Sequence, residues 1–339
     1  MSNSSGKSQL KRRHHTVPRL LLRRFADGEQ LIRVPLNGGE RRPVGIGDVT
    51  VHRDFYSTRD ASGQLDDTVE DLLSKLEGKA AWVLHKVIDG TWPLPIEERA
   101  VLAEWIAAQH ARIPAARKAH NEIADHINKV LIAVGGKPEI RRRLDESSTG
   151  PVSNEKVEAL WRELTDFDGY YAEKSVNDHI LSMAQSMKTA YEVFMARAWG
   201  LIQFEHRPLL IPDHPVTLVR GEDVPSFLGV GVGNAAAVLI PIDRRTVIMM
   251  APPGPDDFFV RPHTKLAKEL NQRFAYNARR ELYHHPDDNP LQGIELPPPR
   301  DREMMFSQPP EHYLLPDGPS DAFKAAPPAD PPPDARPPS

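Results

Sequence analysis

The stretch Tyr191-Glu192-Val193-Phe194-Met195-Ala196-Arg197-Ala198-Trp199-Gly200-Leu201-Ile202-Gln203-Phe204 decides the fold class. Up to Trp199 the apolar residues keep helical spacing, and at Gly200 that spacing ends. Downstream, short apolar runs read as strands at 201–204, 209–211, 216–219, 236–240 and 246–250. Pro208, Pro212, Pro215, Pro225 and Pro241 punctuate them. Proline cannot donate to a ladder, so these strands belong to edges and turns. Upstream, the strong signals are helical. Val69, Leu72, Leu73, Leu76, Ala80, Val83 and Leu84 recur at helical spacing, and Gly90 stops the run. Strands and helices are thus segregated, which favours α+β over a doubly wound parallel sheet.

Working outward from Gly200, the expected order is an N-terminal mainly helical block, then a small mostly antiparallel β region, then a closing helix. The closing helix spans 264–283, with Leu266, Leu270, Phe274 and Leu282 on one face. Within the first block, Thr16 is placed to cap a short helix that has Pro18 in its first turn. Leu31, Ile32 and Val34 form a short strand before the hairpin signal Asn37-Gly38-Gly39. Thr68 and Asp71 resemble a capping box at the first long helix. A second helix follows Pro95, and Pro114 should kink or break it. Residues 135–153 read as a surface loop with charged helical fragments. A long helix then runs from Asn154 to Trp199, with a break at Asp168-Gly169.

Composition bounds the function. The chain has 339 residues, 33 of them proline and none cysteine. Without cysteine, disulfide scaffolds, thiolate zinc sites, cysteine nucleophiles and iron–sulfur clusters are excluded. Sixteen prolines lie from Pro286 onward, together with ten acidic and four basic residues. Residues 1–10 are therefore expected to be disordered, 11–285 to form a single α+β domain, and 286–339 to be a proline-rich acidic disordered tail. Met1 to Arg42 carries ten lysines and arginines against three acids. That basic start could meet nucleic acid or another anionic ligand, and the tail could present extended segments to a protein partner. No run of 18 apolar residues and no apolar leader occurs, so no membrane contact and a cytoplasmic location are expected.

Three constellations could carry chemistry. His14-His15 precedes Arg19, Arg23 and Arg24, a setting that keeps a histidine neutral and able to serve as base or ligand. Gln109 and Arg112 lie three apart, on one helical face, before Pro114. The arginine fork suits a phosphate or carboxylate, and equally an ion pair with Glu70 or Glu77 of the preceding helix. Asp213 and His214 sit between two strands, where the carboxylate is either a metal ligand or base, or the anchor of its own turn. Gly229-x-Gly231-x-Gly233 lacks a following helix and reads as a turn or strand.

His15-x-x-Pro18-x-x-x-Leu22-x-x-Phe25 resembles the opening signature of a mostly bacterial family, domain-of-unknown-function family 4238. Phe55-Tyr56, Val69-Glu70 with Leu76-Glu77, Gln109-x-x-Arg112-x-Pro114, Trp199, Leu210 to Val216, and then Asn271 and Tyr283 follow in the family's order. The likeness covers residues 11–285. Ile113 stands where the family favours threonine, and Pro212 replaces a hydroxyl residue before Asp213. The resemblance implies a domain and a set of polar positions, and no reaction.

Two functions from different classes follow. One is a hydrolase acting on a phosphodiester or other anionic substrate. In it His15 is base or ligand, Glu70 and Asp213 are carboxylates for a divalent metal or water, and Arg112 stabilises developing negative charge, with Gln109 in the same pocket. The other is a non-enzymatic module that binds nucleic acid or protein.

Overall fold

The computed structural model describes residues 12–59, 62–254, 257–263, 265–300 and 302–314. The expected disordered N-terminus, residues 1–10, and residues 315–339 of the expected tail lie outside the described residues. The chain divides into two compact units. The larger combines the residues up to His120 with Lys174–Glu303, and the smaller combines Asn121–Glu173 with the residues from Met304 on.

The larger unit opens with strands. β1 is Arg13–His15, followed by the short α1 Arg19–Leu22 and then β2 Gln30–Pro35, β3 Arg42–Gly45, β4 Val51–Arg53, β5 Thr58–Arg59 and β6 Leu65–Asp66. The helices occupy the middle of the chain: α2 Thr68–Ile88, α3 Ile96–Ala111, α4 Pro114–Ser147, α5 Asn154–Leu164 and α6 Val176–Ala196. Then come β7 Ala198–Gln203, β8 Ile211–Pro212, β9 Thr217–Val219, β10 Ala237–Pro241, β11 Thr246–Ala251, β12 Phe258–Val260, α7 Leu266–Asn277 and β13 Glu281–His284. The class is α+β, but the expected N-terminal helical block is corrected: that part is strand-rich, and the helices follow it. Apart from the six-residue β2, the strands there are two to four residues long, with little or no room to display a period of two. Their partners also lie far along the chain. β1 pairs with β4, and β2 pairs with β13, matching Val34 to Leu282. The helix expected to close the domain is likewise followed by β13, which returns to the N-terminal sheet.

Two sheets result. One has the order β3-β2-β13-β8 and is antiparallel throughout. The other has the order β12-β7-β11-β10-β9, with only β12 running parallel to its neighbour β7. The helix α3 is buried over Leu102 to Ala108 except at Glu104, so its sides face protein rather than a single core stripe. It packs on α2 and α6. Pro114 separates α3 from α4, as its missing N–H requires. The region 135–153 is mostly helical, interrupted at Gly136 (φ +61°). The smaller unit has its own core of Ile132, Ile140 and Val157. Its α5 is capped by Ser153, whose Oγ accepts the Lys156 N–H.

Gly200 pairs with Phe258 across β7 and β12. A Cβ built on Gly200 would stand 2.5 Å from Phe258 Cε2, so the Phe258 ring can lie over this position because the side chain is missing. Gly200→Ala should cost about 1–3 kcal/mol, the scale of overpacking a filled core. A urea titration checks this, and an unchanged midpoint would refute the close approach.

Pro286 to Leu314, which composition assigns to the tail, includes segments packed on the domain. Asp288 accepts two hydrogen bonds from Arg244, at 2.8 and 2.6 Å. Leu291 is buried in the main core, and Glu303 accepts from Arg279 Nε. Proline content alone does not distinguish a packed strap from a free chain.

Candidate functional site

The expected site residues fall into separate places. His14 and His15 point to opposite faces of β1, as successive strand residues must. His14 is fully buried, stacks on Tyr56 with ring centroids 5.3 Å apart, and accepts the Tyr56 N–H on Nδ1 at 2.8 Å. His15 is half-buried. Its pKa lies below the usual value through burial first and the Arg19 charge second, and its Nε2 has no partner among the described residues.

Gln109 and Arg112 are drawn into one network. Arg112 Nη1 donates to Glu77 Oε1 at 2.7 Å and Nη2 donates to Gln109 Oε1 at 3.0 Å. The Tyr56 hydroxyl donates to the Arg112 carbonyl at 2.6 Å. Glu70 lies near enough to act electrostatically on Tyr56, whose hydroxyl is held in its neutral form above all by burial. This network ties α2 to α3 and to the start of the chain. The cavity beside Tyr56 measures only about 20 Å³, room for one water. Of the alternatives open for Arg112, the ion pair with Glu77 is the arrangement present.

Asp213 anchors a turn. Its carboxylate accepts the backbone N–H groups of Arg279 and Arg280 at 2.8 Å and of Glu281 at 3.2 Å. Burial pushes its pKa up to about 6, against the pull of those three donors and the Arg279 charge. Three bonds from one side chain fasten the β8–β9 turn to the entry of β13, and so fix the direction of Arg279, Arg280 and His214.

Those residues line a pocket of about 560 Å³ in this unit. Asp213 lines it too, whereas His15, Glu70, Gln109 and Arg112 are absent from its walls. Its cationic side chains are Arg33, Arg42, Lys118, Arg279, Arg280 and Arg300. Two carboxylates in the walls are already engaged. Glu281 accepts from Arg33 Nε at 2.7 Å and from the Tyr283 hydroxyl at 2.5 Å, and Glu303 accepts from Arg279 Nε. The Arg42 guanidinium makes no hydrogen bond or ion pair among the described residues. Arg300 donates to the Tyr276 carbonyl and, among the described residues, to no carboxylate. Desolvation and the neighbouring Arg279 charge hold its pKa below the usual value. Val44, Val49, Val51 and Ile113 supply an apolar wall. Thr50 in the same wall has φ +54°, an uncommon conformation for a β-branched residue, and is held by the Thr16 N–H on its carbonyl at 2.9 Å.

His214 is the unusual member. Its residue is 8% exposed, and neither ring nitrogen has a partner among the described residues. Burial first, then the charge of Arg279, hold its pKa well below the usual value. The His110 ring lies 6.3 Å away, centroid to centroid, and is itself depressed to about 4 by burial. A buried, neutral, unpartnered imidazole costs free energy where it stands. It also offers a base or hydrogen-bonding group to whatever fills the pocket.

Sequence reading selected Asp213 and passed over its neighbour His214. The adjacent Arg279-Arg280 pair was visible in the sequence, but its convergence with Arg33, Arg42 and Arg300 depends on β2 pairing with β13. Four of the basic side chains of the N-terminal stretch are ion-paired among the described residues. Arg12 pairs with Asp54, Arg13 with Asp48, and Arg19 and Arg23 with Glu29. Among the described residues no group of three or more His, Asp or Glu side chains is placed to hold a metal ion. In the loop 229–235, Asn234 Oδ1 accepts the Gly231 N–H, and Arg197 donates to the carbonyls of Val232 and Ala235. No helix of the described residues is long and apolar enough to cross a membrane.

Residues 13–288 match the family described as protein of unknown function DUF4238, and the chain belongs to it. No curated protein and no solved structure matches the chain.

Proposed function

We propose that the protein binds a phosphate-bearing anion in the arginine-lined pocket and hydrolyses it as a phosphodiester, with His214 as the proton acceptor. The observation that carries this reading is His214 itself, buried at the pocket wall with both ring nitrogens unpartnered. Arg42 and Arg300, neither paired to a carboxylate among the described residues, supply charge for the non-bridging oxygens. In the reaction a water oxygen bonds to phosphorus and the ester P–O bond breaks. The water proton passes to His214 and then to the departing alkoxide. A bound anion offsets the charges of Arg279 and Arg300, so it raises the basicity of His214 when the base is needed.

The test uses the full chain with bis(p-nitrophenyl) phosphate as substrate and inorganic phosphate as competing ligand. His214→Gln should lower turnover by roughly 10²–10⁴-fold with phosphate affinity within about threefold of wild type. Arg300→Ala should weaken phosphate binding about tenfold. Phosphate binding without turnover in the wild type would remove the catalytic claim and leave a binding module. Absence of phosphate binding would overturn the whole reading.

A further inference from the structure

A second histidine stands in the wall of the proposed anion pocket. His52 is the middle residue of β4, and His214 follows β8 in a different sheet. Two imidazoles thus reach one cavity from separate segments of the chain. His52 is half-buried, and among the described residues it makes no hydrogen bond or ion pair. Its ring contact is with Phe55, with centroids 5.3 Å apart and planes tilted by 49°.

The other groups of the wall that could give up a proton are engaged. Asp48 accepts from Arg13, Glu281 from Arg33 and Glu303 from Arg279, while Asp213 accepts three backbone N–H groups. The Tyr283 hydroxyl already donates to Glu281 at 2.5 Å, and Lys118 also has an interaction partner. Guanidinium groups hold their protons too firmly to give them up at neutral pH. Imidazole is the side chain that changes charge near pH 7.

Displacement at phosphorus sets the requirement. The attacking and leaving oxygens lie roughly in line, on opposite sides of the phosphorus. An imidazole close enough to accept the water proton is therefore out of reach of the oxygen that departs. The proton on His214 needs a second group to reach the alkoxide.

We propose that His52 is that group, a second catalytic residue that protonates the leaving oxygen of the phosphodiester. The inference rests on the proposed hydrolysis and adds an acid to the base His214. As the water oxygen bonds to phosphorus, its proton passes to His214. As the ester P–O bond breaks, the His52 imidazolium gives its proton to the departing oxygen. His214 then releases a proton to water and His52 takes one up, which restores both groups. The two environments suit this division. Burial lowers the pKa of His52, whereas burial together with Arg279, His110 and Arg300 holds that of His214 well below the usual value.

Turnover of two diesters by the full chain tests this. Bis(p-nitrophenyl) phosphate loses a stable phenolate that needs little help from an acid. Dibenzyl phosphate loses an alkoxide, which must be protonated. His52→Gln should lower turnover of dibenzyl phosphate by roughly 10²–10⁴-fold, and His52→Asn should act alike. The loss on bis(p-nitrophenyl) phosphate should be smaller by about tenfold or more. His214→Gln should slow both substrates, because both need the base. Thermal melts confirm that the variants fold. Equal losses on the two diesters in the folded His52 variants would overturn the acid, since a structural role slows both in proportion. Wild-type turnover of the bis(p-nitrophenyl) ester alone would also overturn it. If the wild type turns over neither diester, the proposed hydrolysis falls and the part of His52 falls with it.

Discussion

Asp213→Ala is expected to destabilise the protein by about 3 kcal/mol at neutral pH. The carboxylate accepts three backbone N–H groups, from Arg279, Arg280 and Glu281. Removing it leaves three donors without their acceptor. Each orphaned donor costs roughly 1–3 kcal/mol when water cannot reach it, and Arg280 is exposed enough for water to recover part of the loss. In a unit of this size that corresponds to a fall in melting temperature of roughly 10 °C. Asp213→Asn should fall between the variant and wild type, because its amide retains one oxygen but turns an NH₂ group toward N–H donors. The same loss frees the entry of β13, so phosphate affinity should drop in Asp213→Ala although Asp213 repels an anion when ionised. A melt within 1 °C of wild type, measured by circular dichroism, would show that the turn does not depend on these bonds.

Arg112→Met carries the second large effect, again about 3 kcal/mol. Methionine conserves much of the volume, so the loss reports the charge and its hydrogen bonds. The change deprives Glu77 of its cation and Gln109 of its donor. Breaking a buried pair on one side costs roughly 3–5 kcal/mol. The lower end applies because the Glu77 side chain keeps 26% of its exposure while Arg112 keeps 2%. The double replacement Arg112→Met with Glu77→Leu should recover part of the stability, since no unpaired carboxylate remains. Chemical denaturation of the four proteins in the cycle measures the coupling. A stable Arg112→Met protein with lost phosphodiester turnover would instead make Arg112 a participant in the reaction.

The helices were largely legible from the chain. The run from Val69 to Leu84 follows a 3.6-residue period because one face of α2 meets the core, and Pro114 breaks the path between α3 and α4 as its ring dictates. The N-terminal strands were mostly not legible. Arg13–His15 and Val51–Arg53 are three residues each and form a sheet only with one another. A pairing between such distant short segments leaves no periodic trace in either.

The candidate site divides in the same way. The α+β class and the family signature beginning at His15 are written in local residue order, which also marks Asp213 as a candidate. Which of those polar residues meet was decided by tertiary structure alone. Pairing of β2 with β13 sets Arg33 of one chain end beside Tyr283 of the other. Packing of α2 on α3 consigns Arg112 to Glu77, away from the pocket. Burial then turns His214, an ordinary residue in the sequence, into a neutral imidazole without a partner among the described residues. Local order can specify a turn or a helix, but a pocket is built from side chains that become neighbours only when distant segments pair.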